Sequence, residues 1–131
     1  MSDQIKIMIV DDQRSIRTVI SHIVTDLGAE VVAEAEDGEQ AIENYKKFKP
    51  DMVMMDINMP KIDGIVALKA IMEINPKALI IMLTSLDSHN VIKECVDAGA
   101  KNFLLKNISP DEIAEEIKES WQDYLTELKS A

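Results

Sequence analysis

The chain has 131 residues, 47% of them apolar, which sets a single domain with a sizeable core as the expectation. Its 24 Asp and Glu outnumber 14 Lys and Arg, and the resulting charge of −10 opposes contact with nucleic-acid phosphates or anionic lipids, so neither is an expected direct partner. No segment approaches the ~18 uninterrupted apolar residues of a membrane span, Met1-Ser2-Asp3-Gln4 lacks a signal pattern, and Cys95 has no second cysteine to pair with; reduced cytoplasm is the expected setting.

Residues 5–10 form a short continuous apolar run, the pattern of a strand covered on both faces. Ile16, Val19, Ile20, Ile23, Val24 and Leu27 then fall on one helical face, with Gly28 as C-terminal cap. A second strand is expected over 31–35, and Asp37-Gly38 opens a helix over 38–48. Residues 52–56 read as the third strand, and Asp63-Gly64 opens a helix over 64–74. The fourth strand covers 79–84 and the fourth helix 87–98, closed by Gly99. In that helix Cys95 shares an apolar stripe with Val91, Ile92 and Val96, which makes it a small core residue. Residues 102–105 form the fifth strand. Ser109-Pro110-Asp111-Glu112 then reads as a capping box with proline at the first position of a helix over 110–129. The stripe of Ile113 and Ile117 continues through Trp121, Tyr124, Leu125 and Leu128, with core packing expected and a dimer-forming extension as the alternative. No composition shift marks a boundary, so one domain spans 1–131 with its core in 5–129.

Strand and helix in alternation imply an α/β sheet with right-handed crossovers and helices on both faces. Ligands of such sheets gather beyond the C-terminal strand ends. There the chain places Asp11-Asp12, Asp56, Thr84-Ser85 and Lys106 after the first, third, fourth and fifth strands. Converging carboxylates repel unless a cation neutralises them, and hard oxygens without a nearby histidine or second thiol favour Mg²⁺. A hydroxyl and an ammonium are the remaining parts of a phosphoryl pocket, and Asp56 is the nucleophile that would form an aspartyl phosphate. Taken singly, each residue has a plainer role: an acidic pair caps a helix, Thr84 ends a strand, and Lys106 is solvated. Their conjunction at one sheet edge favours the site. His22 and His89 fall on helices away from the carboxylates and read as solvated surface.

Asp11-Asp12, the run Asp56-Ile57-Asn58-Met59-Pro60-Lys61-Ile62-Asp63-Gly64, Thr84, and Ala98-Gly99-Ala100 leading to Lys106 together resemble the receiver domains of two-component response regulators, over nearly the whole chain. The resemblance implies a flavodoxin-like (βα)5 three-layer sandwich, with a parallel five-stranded sheet in the order 2-1-3-4-5. Chemotaxis receivers are themselves the standard example of that order, so it is taken over from the family. It further implies Asp56 as phosphoacceptor, Mg²⁺ held directly by Asp12, Asp56 and the backbone carbonyl of Asn58, and Asp11 acting through water. Thr84 and Lys106 would hold the phosphoryl group, and Phe103, three positions before the lysine, would turn inward as part of the switch. A sensor histidine kinase or phosphotransfer protein would be the donor. A downstream protein would dock on the face of the fourth helix, fifth strand and fifth helix, and no independent substrate turnover is expected.

One departure is Asn107, where the family commonly has proline after a cis bond. A cis bond without proline would cost about 3 kcal/mol, so a trans Lys106-Asn107 bond is expected. A flavodoxin-like electron carrier is disfavoured because Asp11-Asp12-Gln13 would repel a flavin phosphate. An aspartate-nucleophile hydrolase usually has a second acid where this chain has Asn58, and continuous turnover of an ester would distinguish it. A receiver fragment of a larger regulator, or a phosphorelay intermediate, remains the alternative within the family.

Overall fold

In the computed structural model, which describes residues 4–85 and 89–130 and side chains as far as Glu127, strands and helices alternate along the chain. The strands are β1 (Lys6–Val10), β2 (Glu30–Ala35), β3 (Met52–Met55), β4 (Leu79–Thr84) and β5 (Asn102–Leu105). They form one parallel sheet in the order β2-β1-β3-β4-β5, the flavodoxin-like arrangement. The helices are α1 (Arg14–Asp26), α2 (Gly38–Phe48), α3 (Gly64–Ile74), α4 (His89–Asp97) and α5 (Pro110–Ser130).

Covering both faces of the sheet explains the continuously apolar strands. Apart from Lys6, every residue of β1, β3 and β4 is buried. Successive side chains point to opposite faces, so the core divides into two layers. Met8, Val53, Met55, Ile80 and Met82 pack with Ala41, Leu68, Ile71 and Cys95 from α2, α3 and α4. Ile7, Ile9, Met52, Met54 and Ile81 pack with Ile20, Val24, Ile113 and Ile117 from α1 and α5. Thioethers are prominent here: Met8, Met52, Met55 and Met82 are 0% exposed and Met54 2%.

The helix starts follow their caps. The Asp37 carboxylate accepts from Gln40 N, and that of Asp63 from Ile65 N and Val66 N. Ser109 Oγ accepts from Glu112 N at 3.1 Å, while Glu112 Oε1 accepts from Ser109 N at 3.3 Å, closing the capping box. Helix α1 starts two residues before its apolar stripe, with Gln13 at the N-cap and no side-chain cap bond.

The stripes are narrower than their spacing implies. In α1, Ile20, Ile23 and Val24 are buried and Ile16 packs against them, but Val19 is 46% exposed, and Leu27 at the C-cap is 40% exposed. A single helix face against a sheet covers only the centre of such a stripe. Helix α4 shows the same effect, with Cys95 buried, Val91 packed and Val96 exposed. Residues 87 and 88, expected to begin that helix, lie outside the described residues. On α5, Trp121 and Tyr124 pack against the α1–α5 layer with ring centroids 5.8 Å apart, and Leu125 is half-buried; the Leu128 side chain lies outside the described residues. His22 and His89 are both exposed, as expected.

Candidate metal and phosphoryl site

The adjacency of β1 and β3 builds the site. Val10 lies opposite Met55, so the residues that follow, Asp11 and Asp56, emerge side by side at the C-terminal edge. Asp56 N donates to Val10 O at 2.9 Å and Asp11 N to Ala35 O at 3.0 Å, which fixes both backbones. Oxygens of Asp11, Asp12 and Asp56 all lie within 4.8 Å of one another, the first and last buried and Asp12 exposed.

From the other side, Lys106 N donates to Thr84 O at 2.9 Å, and the Lys106 ammonium stands 2.7 Å from Asp11 Oδ2 and 3.5 Å from Asp56 Oδ1. Thr84 ends β4 fully buried. Asp11 Oδ1 accepts from Gln13 N, so both oxygens of Asp11 are engaged. The plainer expectation for an acidic pair is thus half met, since Asp11 shapes the turn into α1 without capping it. Among the described residues the Asp12 carboxylate has no hydrogen bond or ion pair.

Burial, then the charge of Asp11, pushes the Asp56 carboxyl above its usual range, against the pull of Lys106 and the Ile57 N–H. Burial pulls Lys106 down, but its hydrogen bond to Asp11 and the charge of Asp56 outweigh this and hold the ammonium above its usual value. Three carboxylates face one ammonium, an excess of negative charge made only of hard oxygen donors. That donor set fits Mg²⁺ and offers nothing to a softer, nitrogen- or sulfur-seeking metal.

Asn58 is exposed in the loop between β3 and α3. Two backbone contacts hold that loop, Gly64 N donating to Ile57 O at 2.8 Å and Gly38 N to Ile62 O at 2.9 Å, and Lys61 adds an ion pair to Asp37 at 3.8 Å. Both glycines are required by close approach, since a Cβ on Gly64 would collide with the Asp56 carbonyl and one on Gly38 with the Ile62 carbonyl. Phe103 is half-buried on β5, opposite Met82, packed on the layer that includes Cys95. It also lines an open groove of about 350 Å³ with Leu105 and Ile108. No peptide bond among the described residues is cis, so Lys106-Asn107 is trans as expected.

Arg17, which no local motif marks, also reaches the site. Its Nη1 donates to Asp11 O at 2.7 Å and its Nε to Glu34 at 2.8 Å, tying α1 and β2 to the site. The pairing of β1 with β2 creates this contact, and no local spacing signals it.

Residues 7–118 match the response regulator receiver domain model. The chain is 44% identical over 115 residues to the chemotaxis protein CheY of Bacillus subtilis, covering 88% of this chain and 96% of that one. It is 42% identical to CheY of Thermotoga maritima, covering 84% and 92%. Among solved structures, a CheX–CheY–BeF3–Mg²⁺ complex from Borrelia burgdorferi matches with TM-score 0.86 and 33% identity over 89% of each chain. A CheY-like receiver from Methanospirillum hungatei matches with TM-score 0.89 and 25% identity over 95% of this chain and 99% of that one. With the order of its sheet, its acidic edge and a family match across 7–118, the chain belongs to the response regulator receiver domains.

Proposed function

We propose that this chain is a phosphorylation-activated switch that accepts a phosphoryl group on Asp56 in a Mg²⁺-dependent reaction. The observation that carries the reading is a buried Asp56 carboxylate clustered with two others and 3.5 Å from the Lys106 ammonium, at the sheet edge where such folds bind ligands. Asp12, Asp56 and the backbone carbonyl of Asn58 would hold the ion, with Asp11 acting through water; the engaged oxygens of Asp11 and the unpaired carboxylate of Asp12 support that division. When bound, Mg²⁺ neutralises charge on the carboxylates and the incoming phosphoryl oxygens.

The Ile57 N–H fixes one Asp56 oxygen at 2.8 Å and so sets the plane of the carboxylate. An Asp56 oxygen attacks phosphorus, the new O–P bond replaces the donor's N–P bond, and the leaving nitrogen keeps the electron pair. Lys106 then supplies positive charge and Thr84 a hydroxyl to the bound phosphoryl oxygens. A sensor histidine kinase or phosphotransfer protein is the donor in this reading, and no independent substrate is turned over. The signal passes to a cytoplasmic partner protein docked on α4, β5 and α5. The Borrelia complex, which contains CheX, CheY, BeF3 and Mg²⁺, supports recognition of an activated receiver by another protein.

Incubation with acetyl phosphate and Mg²⁺, read by intact-protein and peptide mass spectrometry, should place one phosphoryl group on Asp56 and none on the Asp56→Asn variant. Labelling elsewhere, or continuous phosphate release from an added ester, would overturn the reading.

A further inference from the structure

At the opposite edge of the sheet, where Asp51 precedes β3 and Ala78 precedes β4, lies a second hollow of about 550 Å³, within the usual ~300–1,000 Å³ of small-molecule sites. Its walls are partly apolar, with Ile74, Pro50 and the tyrosines Tyr45 and Tyr124.

Its donors are left over from folding. The Tyr45 hydroxyl accepts from Asn75 Nδ2 at 3.0 Å, yet among the described residues its own proton has no acceptor, although the side chain is buried. Lys46 and Lys49 line the hollow without an ion pair among the described residues, in a chain of net charge −10. The one acid in the lining, Asp51, already accepts from Lys6 N at 2.8 Å.

The end of α2 sets where Lys49 stands. Lys49 is the C-cap of α2 with φ 47° and ψ 59°, a left-handed conformation that helices normally assign to glycine or asparagine. A lysine pays a steric penalty there that glycine would not. Lys46 in the last turn and Lys49 at the C-cap both stand at the negative end of the α2 dipole, which suits a cation but leaves both ammonium groups without an ion pair among the described residues.

We infer that this hollow binds a small organic anion carrying a flat aromatic ring, its charge held by Lys46, Lys49 and the Tyr45 hydroxyl and its ring between the apolar walls. The site is separate from Asp56 and does not depend on phosphorylation. Tyr124 lines it and donates to Lys77 O at 2.8 Å, so an occupant touches α2, α5 and the turn from α3 to β4 together.

The test is amide NMR titration of the whole chain with four probes: adenosine monophosphate, 2-naphthoate, adenosine and inorganic phosphate. The first two distinguish phosphate from carboxylate, and the last two separate ring from charge. At least one ring-bearing anion should shift residues 45–51, 74–78 and 124 with sub-millimolar affinity, while adenosine and phosphate bind at least about tenfold more weakly, the loss expected from one missing charged contact. Replacing both Lys46 and Lys49 by Ala should weaken binding at least about tenfold. Lys49→Gly removes the ammonium and relieves the left-handed strain together, so binding should fall while Tm holds or rises. No localised shift with any probe, equal binding by adenosine or phosphate, or unchanged binding by Lys49→Gly would each overturn the inference.

Discussion

The Lys106 ammonium is nearer to Asp11, at 2.7 Å, than to Asp56, at 3.5 Å, and so bridges two buried carboxylates from different strands. Removing it leaves both without their internal counter-charge. Lys106→Ala should lose on the order of 2–3 kcal/mol of stability in Mg²⁺-free buffer, below the full cost of breaking a buried pair because the lysine is partly solvated. Added Mg²⁺ should recover much of that loss by binding the folded state. Urea unfolding with and without Mg²⁺ measures both, and a variant as stable as the parent without the ion would show that the bridge contributes little.

Asp56 contributes with the opposite sign. Its folded-state pKa lies above the usual 3.8, so as pH rises the unfolded chain releases this proton first. The group therefore costs stability across a window that opens near 3.8 and is complete above its folded value. Asp56→Asn should be more stable than the parent at about pH 7, by roughly 0.5–2 kcal/mol, and the gain should shrink toward zero as pH falls below the window. Denaturation curves across that range check the sign; destabilisation at neutral pH would contradict it.

Asp12, exposed and without a partner among the described residues, adds charge to the cluster while holding nothing in place. Asp12→Ala should weaken Mg²⁺ binding at least about tenfold and leave the unfolding midpoint of the metal-free protein nearly unchanged. Titration followed by NMR or by Trp121 fluorescence decides, and unchanged affinity would remove Asp12 from the metal site.

Gly64 has no room for a side chain against the Asp56 carbonyl. Gly64→Ala should destabilise by about 2–4 kcal/mol, the scale of forced overpacking with a backbone shift. The amide shifts of Asp56 and Ile57 should move even in folded protein. A variant with parent-like stability would mean that the loop yields freely.

Thr84 and Phe103 lie near the ends of paired strands, one fully buried and the other half-buried. If the Thr84 hydroxyl carries the signal to Phe103, Thr84→Ala with beryllofluoride should bind the mimic yet lose the shifts along residues 89–97 and 102–127. Equal distant shifts in variant and parent would assign the signal to another route.

Most element boundaries were legible because local rules govern them. Asp37, Asp63 and Ser109 cap the helices they precede, and the apolar runs of β4 and β5 coincide with the strands. The acidic edge was legible because parallel strands place their C-terminal residues together. Side-chain choices made across the fold were not: sequence presents Lys106 as a phosphate ligand but says nothing of its preference for Asp11. Nor does it show that Gly38 and Gly64 are dictated by carbonyls of another segment, or that Val19 and Leu27 escape a stripe that otherwise packs.

The methionines that fill the central strands also tie the chain's chemical lifetime to its opening. While folded, Met8, Met52, Met54, Met55 and Met82 are withheld from peroxide, but each excursion that parts the sheet exposes thioethers whose sulfoxides are too polar to return to the same space. Oxidation of any one would act as a ratchet, converting a reversible opening into a permanent one. The rate at which sulfoxide accumulates at these buried positions therefore records how often the core opens.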